Sequence, residues 1–117
     1  MGHHDLQLIG RIIMQHQGLE NVLLFLQHFR TRPNMYVKPD VDNLASFMYG
    51  LRIGISTLGF GVPEDIYREV VQARGWHHVA SGFWDQMNEQ GCSYEQIVQE
   101  FVDIQIEALK RVYGVDG

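Results

Sequence analysis

Six histidines, one cysteine and fourteen carboxylates are the side chains of this 117-residue chain that could ligate a metal or drive acid–base chemistry. A metal site needs several such ligands within about 2 to 2.5 Å of one ion, commonly from a His-x-x-x-His pair on one helix face. None of the histidines has that spacing. His77 and His78 are adjacent and point apart in regular structure, and His16 and His28 fall twelve apart on separate predicted helices. No metal or cofactor is expected. Ser46, Ser56, Ser81 and Ser93 lack the Gly-x-Ser-x-Gly elbow that exposes a nucleophilic hydroxyl. Cys92 follows Gly91 at a predicted helix N-terminus, where the dipole favours a thiolate, but small cysteines at such corners commonly pack. No enzyme activity is expected.

The carboxylates carry more information. Glu100, Asp103 and Glu107 recur at i, i+3 and i+7, and Asp85 and Glu89 are four apart, so each set lies on one helix face. A solvated polar face explains them better than acid–base catalysis. Residues 62–117 hold ten acidic against four basic side chains, a balance of −6, whereas residues 1–61 balance at +1. Trp76, Trp84 and Tyr94 are interleaved with this acidic half. That combination suits a partner-binding surface, with rim charges that steer a basic protein and aromatic anchors that hold it.

A net charge of −5 argues against nucleic acid or an anionic membrane as partner. The lone cysteine excludes an intrachain disulfide and fits a reducing cytoplasm. The N-terminal residues Met1 to Asp5 show no basic targeting region, and His3 and His4 read either as a tag remnant or as native residues.

Helical periodicity supplies the elements that position these groups. A first helix is predicted over 5–16, capped by Asp5, with Leu6, Ile9, Ile12 and Ile13 on its apolar stripe. After Gly18, a second carries Leu19, Val22, Leu23, Leu26 and Phe29, widened by Leu24 and Phe25. A third, capped by Asp42, covers 43–58 with Leu44, Phe47, Met48, Leu51, Ile55 and Leu58. Gly50 and Gly54 inside it suggest a close helix crossing. Pro63-Glu64-Asp65 starts a fourth helix, bearing Ile66, Val70 and Val71 and closed by Gly75. A fifth is predicted over 76–90 with Val79, Phe83, Trp84 and Met87 buried. Ser93 and Gln96 then form a capping box before a last helix reaching Tyr113, with Ile97, Val98, Phe101, Ile104, Ala108, Leu109 and Val112 on its apolar face. Hairpin signals are lacking. The expected fold is all-α, an irregular bundle of five to six short helices around one core spanning 1–117 as a single domain.

One segment stands apart from this pattern: Arg32-Pro33-Asn34-Met35-Tyr36, followed by Leu44-x-x-Phe47-x-x-Gly50. The pentapeptide is similar to an element of the type II topoisomerase ATPase subunit, but the long ATP-binding domain that follows there has no room here. In an acidic, all-helical chain of this size, the two strings together resemble small bacterial immunity proteins of polymorphic or contact-dependent growth inhibition toxin systems. The resemblance covers about residues 30–54. It implies a cytoplasmic protein that binds and neutralises a cognate toxin domain, and the acidic half suits a basic nuclease. The expected partner-binding residues are Asp85, Glu89, Glu100, Asp103, Glu107, Trp84, Trp76 and Tyr94. A homodimeric helical scaffold or regulator is the alternative. Pro33 is expected to fix the loop, Met35 and Tyr36 to dock on the core, and Arg32 to pair with a carboxylate or a helix end.

Overall fold

The computed structural model describes the backbone of residues 3–77 and 82–114, and the side chains of residues 17–77, Val41 excepted, and 82–114. Five α-helices follow one another: α1 (His3–Thr31), α2 (Val41–Ile55), α3 (Glu64–Ala73), α4 (Phe83–Glu89) and α5 (Tyr94–Tyr113). A 3₁₀ turn at Pro33–Met35 follows α1, and a π-helical turn at Ser56–Phe60 follows α2. No strand occurs among the described residues, and the fold is all-α as expected.

The last helix, α5, is the axis on which α1, α3 and α4 pack. Its start is fixed locally: the Gln96 N–H donates to Ser93 Oγ at 3.2 Å and the Ser93 N–H donates to Gln96 Oε1 at 2.8 Å. Two orphan donors are thereby satisfied within one turn. Ile97, Val98, Phe101, Ile104, Ala108 and Leu109 are buried, and so are Val102 and Gln105, so helices cover α5 on more than one side. Val112, expected in the core, sits exposed near the helix end.

Gly18 does not divide the first two predicted helices, because α1 runs unbroken through it for 29 residues, about 43 Å. A Cβ at Gly18 would stand 3.2 Å from the Phe60 ring, so this glycine makes room for a packed aromatic rather than ending the helix. Asp5 lies inside α1 rather than at its cap. The side chains of Leu6, Ile9, Ile12 and Ile13 lie outside the described residues. Beyond Gly18, Leu19, Val22, Leu23, Leu26 and Phe29 are buried as their spacing predicts, Phe25 is half-buried and Leu24 is exposed.

The cap of α2 is Asp40, whose carboxylate accepts from the N–H groups of Asp42 and Asn43. Asp42, expected as the cap, instead occupies the first turn, where its charge still complements the helix dipole. Leu44, Met48 and Ile55 are buried, but Leu58 is 69% exposed. Gly50 and Gly54 do not mark a crossing, since a Cβ at either would meet nothing within 4 Å. The helical run ends at Gly59, whose φ of +97° is open to glycine at little cost. The Tyr113 hydroxyl reaches across from the end of α5 and donates to the Gly61 carbonyl at 2.8 Å, with the Gly59 carbonyl at 3.3 Å.

Pro63 precedes α3, Glu64 and Asp65 occupy its first turn, and Tyr67, Val70 and Val71 form its buried face. The Arg52 guanidinium of α2 lies 3.8 Å above the Tyr67 ring and 3.5 Å from Glu64. Burial pushes the Tyr67 phenol above its ordinary range, against a smaller opposite pull from Arg52.

The predicted fifth helix is shorter than its periodicity suggested, comprising Phe83–Glu89 alone. Upstream, Trp76 and His77 are non-helical, and the Gln86 side chain accepts from the His77 N–H and donates to the His77 carbonyl. Gly82 has φ +90°, and a Cβ there would fall 2.4 Å from the Trp84 ring, so both conformation and space demand glycine. Phe83 and Met87 are buried and Trp84 is half-buried; Val79 and His78 lie outside the described residues.

In the 32–36 loop, Pro33 is buried and Tyr36 rests edge-on against Phe25 with its hydroxyl 2.5 Å from His28 Nδ1. Met35 does not dock. It is 66% exposed, because the 3₁₀ turn carries its side chain away from the core. Arg32 is exposed and makes no ion pair among the described residues.

Candidate partner-binding surfaces

The acidic row on α5 meets basic side chains of its own chain. Arg30 at the end of α1 donates from Nε to Asp103 Oδ1 at 3.0 Å, and from an amino group to Oδ2 at 3.4 Å. Arg74, just past α3, pairs closely with Glu100 and stands 3.8 Å from both Asp103 and Glu107. Arg111 completes the row at 2.9 Å from Glu107 and reaches Glu69 at 4.0 Å. The Trp76 indole donates to the second Glu100 oxygen at 2.8 Å. With 15% of its side chain exposed, Glu100 is the most desolvated carboxylate of the row, and it receives the most donors. This arrangement joins α1, α3 and α5 at their surface. Three of the expected partner-binding carboxylates, and Trp76 with them, are therefore engaged within the fold.

Asp85 and Glu89 are different. Both are exposed on α4, and Glu95 is exposed at the start of α5. Between Gly75 and Leu109 the chain has neither lysine nor arginine, so this end of the molecule has no covalently nearby counter-charge. Trp84, which precedes Asp85 in α4, is half-buried with its ring 5.4 Å from Phe83. Tyr94 is also half-buried; its hydroxyl has no hydrogen-bond partner among the described residues, and burial followed by the neighbouring Glu95 raises its pKa.

A second surface was not anticipated from the sequence. An open groove of about 1050 Å³ runs between α1 and the end of α2 with its π-helical turn. One wall is Gly18, Asn21, Val22 and Phe25; the other is Leu51, Gly54, Ile55 and Leu58, each set spaced i, i+3, i+4, i+7. Phe60 lies between them, and among the described residues none that lines the groove carries an ionisable side chain. The chain matches no known protein family, no curated protein and no solved structure.

The groove escaped sequence reading because Leu51, Ile55 and Leu58 look like core positions by spacing alone. The π-helical turn swings Leu58 out of the core it would otherwise join, and Gly54 leaves space that a longer side chain would fill. Cys92 is a half-buried free thiol packed against the core. No group of three or more His, Cys, Asp or Glu side chains is arranged to hold a metal among the described residues. No described helix is long and apolar enough to cross a membrane.

Proposed function

We propose that this chain is a non-catalytic binding protein, an immunity protein that neutralises a cognate bacterial toxin by covering its active site or nucleic-acid groove. One observation carries the reading: the two strings behind the resemblance, Arg32 to Tyr36 and Leu44-x-x-Phe47-x-x-Gly50, meet through Tyr36 and Phe47. The Tyr36 and Phe47 rings lie 6.4 Å apart, and Phe47 stacks on Phe29 at 4.9 Å. Strings that meet in space form one structural motif, which supports a family relation over two coincidences.

A basic nuclease domain is the toxin class that suits the charge. With Glu100, Asp103 and Glu107 tied to arginines, the steering role falls to Asp85 and Glu89, and the anchoring role to the half-buried Trp84 and Tyr94. Exposed charges of this kind act mainly on association, and their field is screened within about 8 Å at physiological salt. The test is a titration of the protein against the toxin domain encoded beside its gene, at two salt concentrations. Wild type should bind. Asp85→Lys with Glu89→Lys should slow association and flatten its salt dependence. Failure of wild type to bind refutes the toxin reading. The exposed Leu24, Tyr49 and Ile53 favour the second reading, a homodimeric scaffold; a dimeric mass in solution without toxin binding would establish it.

A further inference from the structure

We infer that a pocket bounded by the end of α2, its π-helical turn, the start of α3 and the middle of α5 binds a free α-amino acid with an apolar side chain. The inference goes beyond the toxin reading and does not depend on it. The pocket holds about 360 Å³, at the small end of the range for small-molecule sites, which suits an occupant the size of a single residue.

Charge selects the class of ligand. Arg52 and Glu64 both line the pocket, and their charged groups stand 3.5 Å apart. A charge-assisted hydrogen bond is shorter, about 2.7 to 2.9 Å, so the two side chains attract without closing on each other. The Arg52 guanidinium is set in place beforehand, because it lies 3.8 Å over the Tyr67 ring. A zwitterion whose ammonium and carboxylate are joined through one carbon spans such a pair, with its carboxylate on Arg52 and its ammonium on Glu64. A plain carboxylic acid would bring a second negative charge up to Glu64, and a plain amine a second positive charge up to Arg52; each is repelled at close range. A peptide terminus carries one of the two charges and lacks the other.

Gln105 supplies an independent sign of a ligand. It belongs to the central helix α5, is 4% exposed, and still contributes to the lining of the pocket. Its amide approaches the Tyr67 phenol, yet the amide nitrogen has no acceptor at hydrogen-bond geometry among the described residues. Buried amides are ordinarily bonded. The terminal torsion of glutamine is soft, so the amide turns towards a ligand carboxylate held on Arg52 and donates to it. Ile53, Phe60 and Val62 share the lining with these polar groups, which leaves a hydrocarbon wall for the side chain of the amino acid.

The full chain is titrated with leucine, isocaproate and isoamylamine, which share one branched carbon chain and carry both charges, the carboxylate alone and the ammonium alone. Proton–nitrogen NMR follows the side-chain amide of Gln105 and the guanidinium of Arg52. Leucine should bind at least about tenfold more tightly than either analogue, since each analogue lacks one charged contact. It should also shift both side-chain signals. Glu64→Gln, at an exposed side chain, should reduce leucine to the affinity of isocaproate, with thermal melting to confirm the fold. Equal binding of leucine and isocaproate to wild type overturns the assignment, and so does a leucine response that leaves the Gln105 amide unmoved. The absence of any response at tens of millimolar leucine overturns it outright. These outcomes leave the toxin titration untouched, so the two readings fail separately.

Discussion

Replacing Gly54 by alanine should stabilise the protein, and replacing Gly18 should not, although both sit in helices. Glycine costs a helix interior about 1 kcal/mol relative to alanine, through backbone entropy. At Gly54 nothing stands within 4 Å of the added methyl, so the full gain of about 1 kcal/mol is available. For 117 residues the unfolding entropy is about 0.25 kcal/mol per degree, which makes the expected rise in Tm about 4 °C. Gly50→Ala meets equally open space, and the double variant should gain about 8 °C. At Gly18 the methyl would press on two Phe60 ring atoms at 3.2 and 3.3 Å. That ring is buried and contacts Tyr113 at a centroid distance of 5.6 Å, while Tyr113 is itself bonded to the turn, so retreat is restricted. The steric cost should cancel the propensity gain and leave Tm unchanged or lower. Differential scanning calorimetry on the three single variants decides the matter. Destabilisation by Gly54→Ala would mean that this position is covered, and a rise with Gly18→Ala equal to that of Gly54→Ala would mean that Phe60 does not pack as described.

Arg74→Ala should cost about 1 to 3 kcal/mol in denaturant unfolding, because it strips the principal cation from the desolvated Glu100, whereas Arg30→Ala, at a pair more than a third exposed, should cost under about 1 kcal/mol. Tyr67→Phe should flatten stability above about pH 10. The raised folded pKa means the native state holds the phenolic proton more tightly than the unfolded chain does, so wild-type stability is retained below the unfolded value near 10 and falls as pH rises beyond it. Urea midpoints at pH 8 and pH 10.5 for both proteins measure the difference. Tyr36→Ala should lower stability by about 1 to 2 kcal/mol, less than a fully buried aromatic would, because 38% of the residue is exposed. Ser93→Ala should cost about 1 kcal/mol by opening the capping box at the head of α5, visible as a lower Tm of about 4 °C.

What could be read from the sequence was local. Ser93 and Gln96 satisfy each other within one turn, and Pro63-Glu64-Asp65 acts within one helix start, so both boundaries were legible. Gly18 was misread because a glycine that breaks a helix and one that admits an aromatic ring look the same until Phe60, 42 residues later, is placed against it. The extent of α4 was misread for a similar reason, since the Gln86 side chain competes for the backbone of His77. The acidic row was visible in the spacing of Glu100, Asp103 and Glu107. Its neutralisation was not, because Arg74 and Arg30 arrive from 26 and 73 residues away. The groove depends on where the chain turns after Ile55, which no periodicity specifies.

The position of α5 at the centre of the packing has a consequence for how the chain matures during synthesis. Helices α1, α3 and α4 each pack against α5, which is made after them, so part of the apolar surface of each stays uncovered while the ribosome is still upstream of Ser93. At about 5 to 20 residues per second, the 20 residues of α5 take roughly one to four seconds to appear. Through that interval the nascent chain exposes Val70, Val71 and Phe83 to the cell's chaperones and proteases. Synonymous codons that slow translation within α5 should therefore lower the yield of intact protein more than the same codons placed in α1.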